Sequence, residues 1–581
     1  MAAQRGIRYI PAIDGLRAVA VIAVMLYHLG VSWIPGGFLG VDLFFVISGY
    51  VITRLLLDSI QRSGGLDLRA FYKSRLRRLL PPLAFMIVTT TLFIGVWAPD
   101  TIKRLLTDTP FALTGIMNWW LVFEQQDYFE SIGRPPLLQH TWSLAVEAQF
   151  YFVWPLILYF LLKRFGKKHI PLASLAIAAA SGIALLLVSF SLDASNASKV
   201  SHVYFGTDTH SIGLFLGAAL AVSWIPQNFT TQVTRKAQDF IDGVGFLGFV
   251  GILAAFLLID ENQPTLYKIA FPLAGLCGAA IIMSVVHPAS RFAPVLQNPV
   301  FLWIGERSYA IYLWHWVIFQ VTRPSVDLAG KEWALYSLRI LIVLALSDIS
   351  LRYVELPIRR GVIQYWWKGL KYRTKKERSQ QTRTFSVVTV IVLVLATVVS
   401  IRAIGIANDQ RQKLEDSLTA TPTAITEVVT DGLWVTGDSV ILGIRSTLGQ
   451  SHPISIMNAR IGRQAPELLS VMLQDKDEAA DVPVIFNLGN NNALTREQVV
   501  AIFEAVKDQP RIIVVNTAVP RPWREGNNAL IAEVASQYAK VIIVDWNSIS
   551  EGHPEYFAPD GVHLVPTGVN VYVAEIVKHL D

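Results

Sequence analysis

WKGLKYRTKKERSQQTRTFSVVTVIVLVLATVVSI, residues Trp367 to Ile401, divides the chain in two. Its first part is a basic cluster of Lys368, Lys371, Arg373, Lys375, Lys376, Arg378 and Arg383, and its second, Phe385 to Ile401, carries no charge. An apolar run close to the ~20 residues that span a bilayer, preceded by Lys and Arg, reads as a transmembrane helix whose N-terminal end stays in the cytoplasm. Everything after it is then expected outside. Before Thr384 the sequence repeats long apolar segments with aromatic and basic edges, whereas after Ala407 it reads as a soluble α/β domain.

Composition supports the same division. Of 581 residues, 52% are apolar and only 16% charged, which is too apolar for a wholly soluble protein and too long for one domain. The net charge of +6 does not point to nucleic acid, because the Lys and Arg fall in short clusters between apolar segments, as the positive-inside rule requires. The single cysteine, Cys277, excludes an internal disulfide and a cysteine-based zinc site, and no metal is expected. An outer domain without disulfides fits a bacterial cell surface. Asp14 and Arg17 interrupt the first apolar segment, and no small-residue cleavage site follows, so a removable signal peptide is not expected.

Eleven candidate spans precede the tether, near 16–34, 38–57, 79–97, 105–123, 143–163, 170–190, 210–225, 241–259, 267–286, 300–320 and 333–354. With the N-terminus inside, eleven crossings would place the basic loop before the tether outside. Treating 105–123, which contains Asp108, Pro110 and Asn118, as non-spanning or re-entrant puts the clusters 69–78, 163–168, 235–236 and 359–383 all inside. The expectation is ten spanning helices and the tether as an eleventh.

Ionisable residues in membrane helices are costly and therefore candidates for function. Arg17 and His28 lie eleven positions apart, about 16 Å along a helix and on nearly one face. An interfacial Arg and a hydrogen-bonded structural His would explain them equally. Asp42 sits in an aromatic and glycine-rich segment, Gly36 to Tyr50, and Arg75 and Arg78 can present adjacent guanidinium forks to phosphate or simply anchor a cytoplasmic loop. Further on come His140-Thr141-Trp142-Ser143-Leu144-Ala145-Val146-Glu147, then Ser308-Tyr309 to Tyr312-Leu313-Trp314-His315-Trp316, and Glu355 at the end of the last helix.

Together these residues resemble the acyltransferase-3 family of membrane acyltransferases over residues 9 to 360. The motifs are Asp14-Gly15-Leu16-Arg17 with His28, the run from Gly40 to Tyr50, the Arg75/Arg78 pair, the His140 to Glu147 box and the Tyr312 to Trp316 box. The resemblance implies a helical bundle that takes an acyl group, usually acetyl from acetyl-CoA, at the cytoplasmic face and delivers it outside, with no permanently bound cofactor. It implies His28 as a catalytic residue and Arg17, Arg75 and Arg78 as the acyl-donor site, with Asp14, Asp42, Glu147, Tyr309, His315 and Glu355 as further candidates. The chain departs from the family pattern at Ala148, where a second Glu is common, at His210, where Arg is common, and at Val317, where Pro is common.

In the outer half, strand-like runs at Leu433-Trp434-Val435, 484–486, 512–515 and 541–544 alternate with helical runs near 466–474, 496–507 and 526–537. This is the pattern of a three-layer α/β domain with a parallel sheet, whose active residues gather at strand C-terminal ends. After the first strand comes Gly437-Asp438-Ser439, after the Val484 strand Gly489-Asn490-Asn491, and near the end Asp560-Gly561-Val562-His563. An Asp three residues before a His can orient an imidazole that serves as base for a serine, and Gly462 can add a backbone donor for an oxyanion.

This half resembles the SGNH hydrolase superfamily over residues 432 to 580. The resemblance implies Ser439 as nucleophile, His563 as base, Asp560 as its orienter, and Ser439, Gly462 and Asn491 as the oxyanion hole. Flanking stretches around Gly462, Asn516, Pro520 to Trp523 and Asp545 resemble the outer domain of OatA-type peptidoglycan O-acetyltransferases. The expected architecture is a multi-pass α-helical membrane domain (1–361), a basic cytoplasmic loop (362–384), a tether helix (385–402), a linker (403–430) and an extracytoplasmic SGNH-like α/β domain (431–581) in a bacterial cell membrane. The implied function is an O-acetyltransferase acting on a cell-surface glycan, at the C6 hydroxyl of N-acetylmuramic acid in peptidoglycan. Another surface polysaccharide such as an O-antigen or capsule, a membrane-anchored esterase, and a transporter with an accessory domain are the alternatives.

Overall fold

The computed structural model describes residues 9–63, 65–124, 134–190, 197–259, 269–324, 327–328, 331–419, 432–460, 462–479, 481–521, 523–558 and 561–580. Eight of the described helices are long and apolar enough to cross a membrane: Pro11–Leu29, Gly37–Arg62, Leu68–Trp97, Gln139–Phe165, Lys167–Phe190, Arg235–Leu258, Trp333–Arg359 and Lys375–Asp409. The other three expected spans are helical but do not qualify. Ile212–Ser223 and Phe271–Val285 have only 12 and 15 residues, roughly 18 and 22 Å of helix against about 30 Å of hydrocarbon. Both pack against Gly40–Ser63 and each other. Pro299–Val321 has 23 residues but carries Glu306 and Arg307.

The segment 105–123 is broken into Ile102–Thr114 and Met117–Phe123, with Gly115 between them in the left-handed region (φ 74°). Neither piece is long enough to span. Its polar residues find partners: Asp108 accepts from Arg104 and from Trp120 Nε1, each at 3.0 Å, and Asn118 Nδ2 donates to the Phe205 carbonyl at 3.0 Å.

The tether differs from the expected 385–402. One helix runs Lys375–Thr419, 45 residues, and Val362–Gly369 is also helical. The residues assigned to a linker from 403 are mostly good helix formers, with no proline before Pro422, so nothing local ends the helix at the membrane surface.

Two helices central to the site meet backbone to backbone. Pro11–Leu29 packs along Pro299–Val321, and a Cβ at Gly305 would overlap the Asp14 carbonyl, as one at Gly15 would overlap that of Leu296. This approach lets His28 and His315 meet further along the pair. Gly305→Val is expected to cost roughly 1–3 kcal/mol or more by overpacking, read as a lowered thermal unfolding midpoint of the detergent-solubilised protein.

In the C-terminal half, β1 (Leu433–Gly437), β2 (Ile454–Ala459), β3 (Val484–Asn487), β4 (Ile512–Val515) and β5 (Val541–Val544) form a parallel sheet in the order β2-β1-β3-β4-β5. Alternate residues of each strand face opposite layers. Trp434, Val484, Phe486, Ile512 and Val514 pack with Leu468, Met472, Val499, Ile502 and Ile531, while Val435, Ile485, Ile513 and Val515 pack with Ile441, Ile444, Leu448, Tyr572 and Ile576. The strand order reverses at β1, between β2 and β3, which is where such sheets open a crevice at their C-terminal ends.

Candidate active sites

The site of the C-terminal half is built on that reversal. β1 ends at Gly437, and Asp438 caps the following helix, Ser439–Ser451, by accepting the Val440 N–H at 2.9 Å. Ser439 is thus the first helical residue and its side chain lies 2.8 Å from His563 Nε2. His563 stands in the loop before the helix Pro566–Val577, where the Ala558 N–H donates to its carbonyl at 2.7 Å. Asp560, the expected orienter of His563, lies outside the described residues.

The loops after β1, β2 and β3 are tied together here. The Arg460 N–H donates to the Gly437 carbonyl at 3.2 Å, and Gly462 adopts φ 74° in the turn that follows. Asn491 Nδ2 donates both to the Arg463 carbonyl (3.1 Å) and to Asp438 Oδ2 (3.0 Å). In this resting geometry an oxyanion at Asn491 would share one of those hydrogens. Trp523 Nε1 and Asn527 Nδ2 both hold the Gly489 carbonyl, at 3.2 and 3.0 Å, and so fix the loop that carries Asn491.

Asp438 was not singled out in the sequence as a site residue, yet it is the hub. Its carboxylate also accepts from Asn487 Nδ2 (2.6 Å) and Asn490 Nδ2 (3.0 Å). Burial pushes its pKa up, while the hydrogen bonds from Asn487, the Val440 N–H and Asn490, and the charge of His563, pull the other way. The signal was present in Asn487, Asn490 and Asn491, close together at and just after the end of the same strand, whose amides need an acceptor when buried. Asp438→Asn replaces an acceptor by a donor facing other donors. It is expected to lower turnover of an acetyl ester about 10- to 100-fold and to destabilise the outer half by about 1–3 kcal/mol, measured on the full-length protein by initial rates and thermal unfolding.

The arrangement fits nucleophilic acyl transfer. A serine hydroxyl within hydrogen-bond reach of an imidazole can be deprotonated as it attacks a carbonyl. The oxyanion that forms would meet the N-terminal end of the Ser439–Ser451 helix, where unpaired N–H groups and the helix dipole favour negative charge.

The membrane half holds a pocket lined by Arg17, Arg75, Arg78, Glu147 and Tyr309 among others. These five come from four separated stretches of sequence. Arg17 pairs with Asp14 at 2.8 Å, and Asp14 also accepts from the Tyr9 hydroxyl at 2.6 Å. Glu147 accepts from Ser48 Oγ (2.5 Å) and the Tyr151 hydroxyl (3.0 Å), and Tyr309 donates to the Leu79 carbonyl at 2.8 Å.

His28, His315, Asp42 and Glu355 are not among the lining residues. His28 is instead hydrogen-bonded to His315, Nδ1 to Nε2 at 2.9 Å. Tyr312 stands between the two places: it lines the pocket, its hydroxyl bonds Ser143 Oγ at 2.7 Å and the His140 carbonyl at 2.9 Å, and its ring lies 5.3 Å from that of His315. Asp42 faces His210 Nε2 at 3.1 Å in an enclosure walled by Phe45, Trp142, Tyr204 and Phe271, so His210 supplies a partner to Asp42 where the family commonly has Arg. Glu355 is buried at the end of a π-helical turn, Ser350–Glu355, and among the described residues its Oε1 has no hydrogen-bond partner. His140 was quoted within its box but not proposed as a site residue, and it sits beside the His315 ring at 5.9 Å. Among the described residues no group of three or more His, Cys, Asp or Glu is arranged to hold a metal.

The Acyltransferase domain model (Acyl_transf_3) matches residues 10–352. O-acetyltransferase OatA of Staphylococcus aureus (strain MRSA252) is 34% identical over 596 aligned positions, covering 99% of this chain and 96% of that protein. Peptidoglycan O-acetyltransferase OatA of Listeria monocytogenes serovar 1/2a is 32% identical over 626 positions, covering 99% and 98%. The solved C-terminal catalytic domain of Streptococcus pneumoniae peptidoglycan O-acetyltransferase A, with a methylsulfonyl adduct, aligns with 26% of this chain and 93% of its own at 24% identity and a TM-score of 0.24.

Proposed function

The chain belongs to the acyltransferase family that carries this domain and is an O-acetyltransferase, and from that premise we propose that it moves acetyl from cytoplasmic acetyl-CoA across the membrane to the C6 hydroxyl of N-acetylmuramic acid in peptidoglycan. The likeness to the Listeria monocytogenes relative named for peptidoglycan O-acetylation runs over both halves, which favours this acceptor over an O-antigen or capsule. The observation that carries the reading is the Ser439–His563 pair at 2.8 Å, joined in one chain to a bundle whose pocket holds three guanidinium groups. An esterase needs only an anchor, and a single helix would serve.

Guanidinium groups suit the phosphates of an acyl-CoA, and the apolar lining at Val41, Phe44 and Leu144 suits its uncharged arm. In the outer half, Ser439 Oγ attacks the acetyl carbonyl carbon while His563 Nε2 takes the hydroxyl proton. The leaving group departs with that proton, and an acetyl ester of Ser439 remains. His563 then takes the proton of the sugar hydroxyl, the sugar oxygen attacks the ester carbonyl, and Ser439 recovers its proton as the acetylated sugar leaves. Each oxyanion forms near the Ser439 N–H. A covalent intermediate suits a compartment without free acetyl-CoA.

Mass spectrometry of muropeptides from cells expressing the full chain, against cells lacking it, tests the acceptor. Base-labile acetyl on muramic acid that depends on the chain is expected. Muropeptides that never carry it, alongside another surface glycan that does, would move the assignment to that glycan.

A further inference from the structure

Resting on the reading just given, and deepening it within the membrane half, we propose that His315 is a positioning residue that fixes the tautomer of His28, so that Nε2 is the basic nitrogen His28 offers to the acyl transfer. The chain of inference starts at two carbonyls. His315 is fully buried in the helix Pro299–Val321, and its Nδ1 lies 2.7 Å from the Tyr312 carbonyl oxygen and 3.2 Å from that of Ile311. A carbonyl can only accept, so Nδ1 of His315 carries the proton. In the neutral ring the lone pair is then on Nε2. That nitrogen is 2.9 Å from His28 Nδ1, which must therefore be the donor. The neutral His28 ring is left with its lone pair on Nε2.

This is the orienting job that a carboxylate does in a serine hydrolase triad, carried out here by a second imidazole. The rings of His28 and His315 are nearly parallel, with centroids 5.1 Å apart, and Trp316 meets His28 edge-on at 4.8 Å, so packing as well as hydrogen bonding holds the orientation. The titratable groups facing the pair are Tyr27 on the helix of His28, Tyr312 on that of His315, and His140 from the turn before the helix Trp142–Phe165. When Nε2 of His28 takes the proton of an acceptor hydroxyl whose oxygen attacks the thioester carbonyl of acetyl-CoA, the Nδ1 proton can move to His315 Nε2, leaving the positive charge on a ring whose Nδ1–H already points at a carbonyl; as the C–S bond breaks, Nε2 of His28 gives its proton to the departing CoA sulfur. No other proton acceptor is needed, and the reverse movement restores the starting tautomers.

The test uses the full-length protein in nanodiscs with 15N-labelled histidine, the His28 signals being assigned by their loss in His28→Gln. The expected result is a protonated, pyrrole-type Nδ1 and an unprotonated, pyridine-type Nε2 for His28; the opposite tautomer overturns the proposal. Two variants then test the consequence. In His315→Gln the side-chain oxygen can accept the same hydrogen bond, and acetyl transfer from acetyl-CoA is expected to stay within about tenfold of wild type. In His315→Phe no acceptor remains, and a loss of about 100-fold is expected, with a shifted pH profile. Equal rates in the two variants, both showing a cooperative thermal transition, would overturn it as well. Full transfer by His28→Ala would instead remove the underlying role of His28, so the two failures are distinguishable.

Discussion

Ser439→Ala is expected to reduce transfer to glycan about 10⁴-fold or more, while leaving the fold of the outer half intact. The reasoning is local. The hydroxyl sits 2.8 Å from His563 Nε2, and without it no acetyl ester can form on the protein. The helix Ser439–Ser451 does not depend on that hydroxyl, because its cap is Asp438. Alanine is also the best helix former at an interior or first-turn position, so the thermal midpoint should move little. Cells carrying this variant should lose glycan O-acetylation with the chain still present in the membrane. A transporter with an accessory domain predicts that the surface phenotype survives.

His28→Ala is expected to lower glycan acetylation in cells about 100-fold or more, while hydrolysis of a small soluble acetyl ester at Ser439 continues at the wild-type rate. The separation follows from placement: His28 is paired with His315 in the membrane half, and Ser439 is reached by a soluble ester without that half. The substitution leaves His315 Nε2 without its donor, a cost of roughly 1–3 kcal/mol for a buried polar group, so the protein should remain folded but unfold at lower temperature. A loss confined to Ser439→Ala would mean that the membrane half is not the donor.

How much of this was readable in advance differs between the two halves and between elements and contacts. Hydropathy marked each of the eight described helices that are long and apolar enough to cross a membrane, because an apolar stretch must be helical to satisfy its own backbone in lipid. It did not mark their ends: the Lys375–Thr419 helix runs past both boundaries assigned to the tether, since Ala, Gln, Lys and Leu continue a helix in water as well as in lipid. The sheet was legible where strands are buried on both faces, as at 484–487 and 512–515. β2, Ile454–Ala459, was missed: it is an edge strand, only half-buried, and its run Ile-Ser-Ile-Met-Asn-Ala lacks a continuous apolar core.

Site contacts were legible only where the partners are close in sequence. Asp14 and Arg17 are three apart on a helix, and their ion pair needs no tertiary fold. Nothing along the chain says that His28 meets His315, 287 positions away, or that His210 takes up Asp42. Those pairings arise from helix packing, and in the first case from glycines that allow two backbones to touch. Asp438 was visible as one letter of a Gly-Asp-Ser triplet, but its role in holding three asparagine amides depends on loops after two different strands.

The most direct test of the two-stage account is made in sealed proteoliposomes containing the full chain in one orientation. Acetyl-CoA with a labelled acetyl group is supplied on the side of the Arg373 to Arg378 segment, and a muramic acid-containing glycan on the side of the C-terminal domain. The account predicts label on the glycan with the wild-type chain and none with either His28→Ala or Ser439→Ala. Label transferred by His28→Ala at the wild-type rate, or no transfer by the wild-type chain to any glycan, would contradict it.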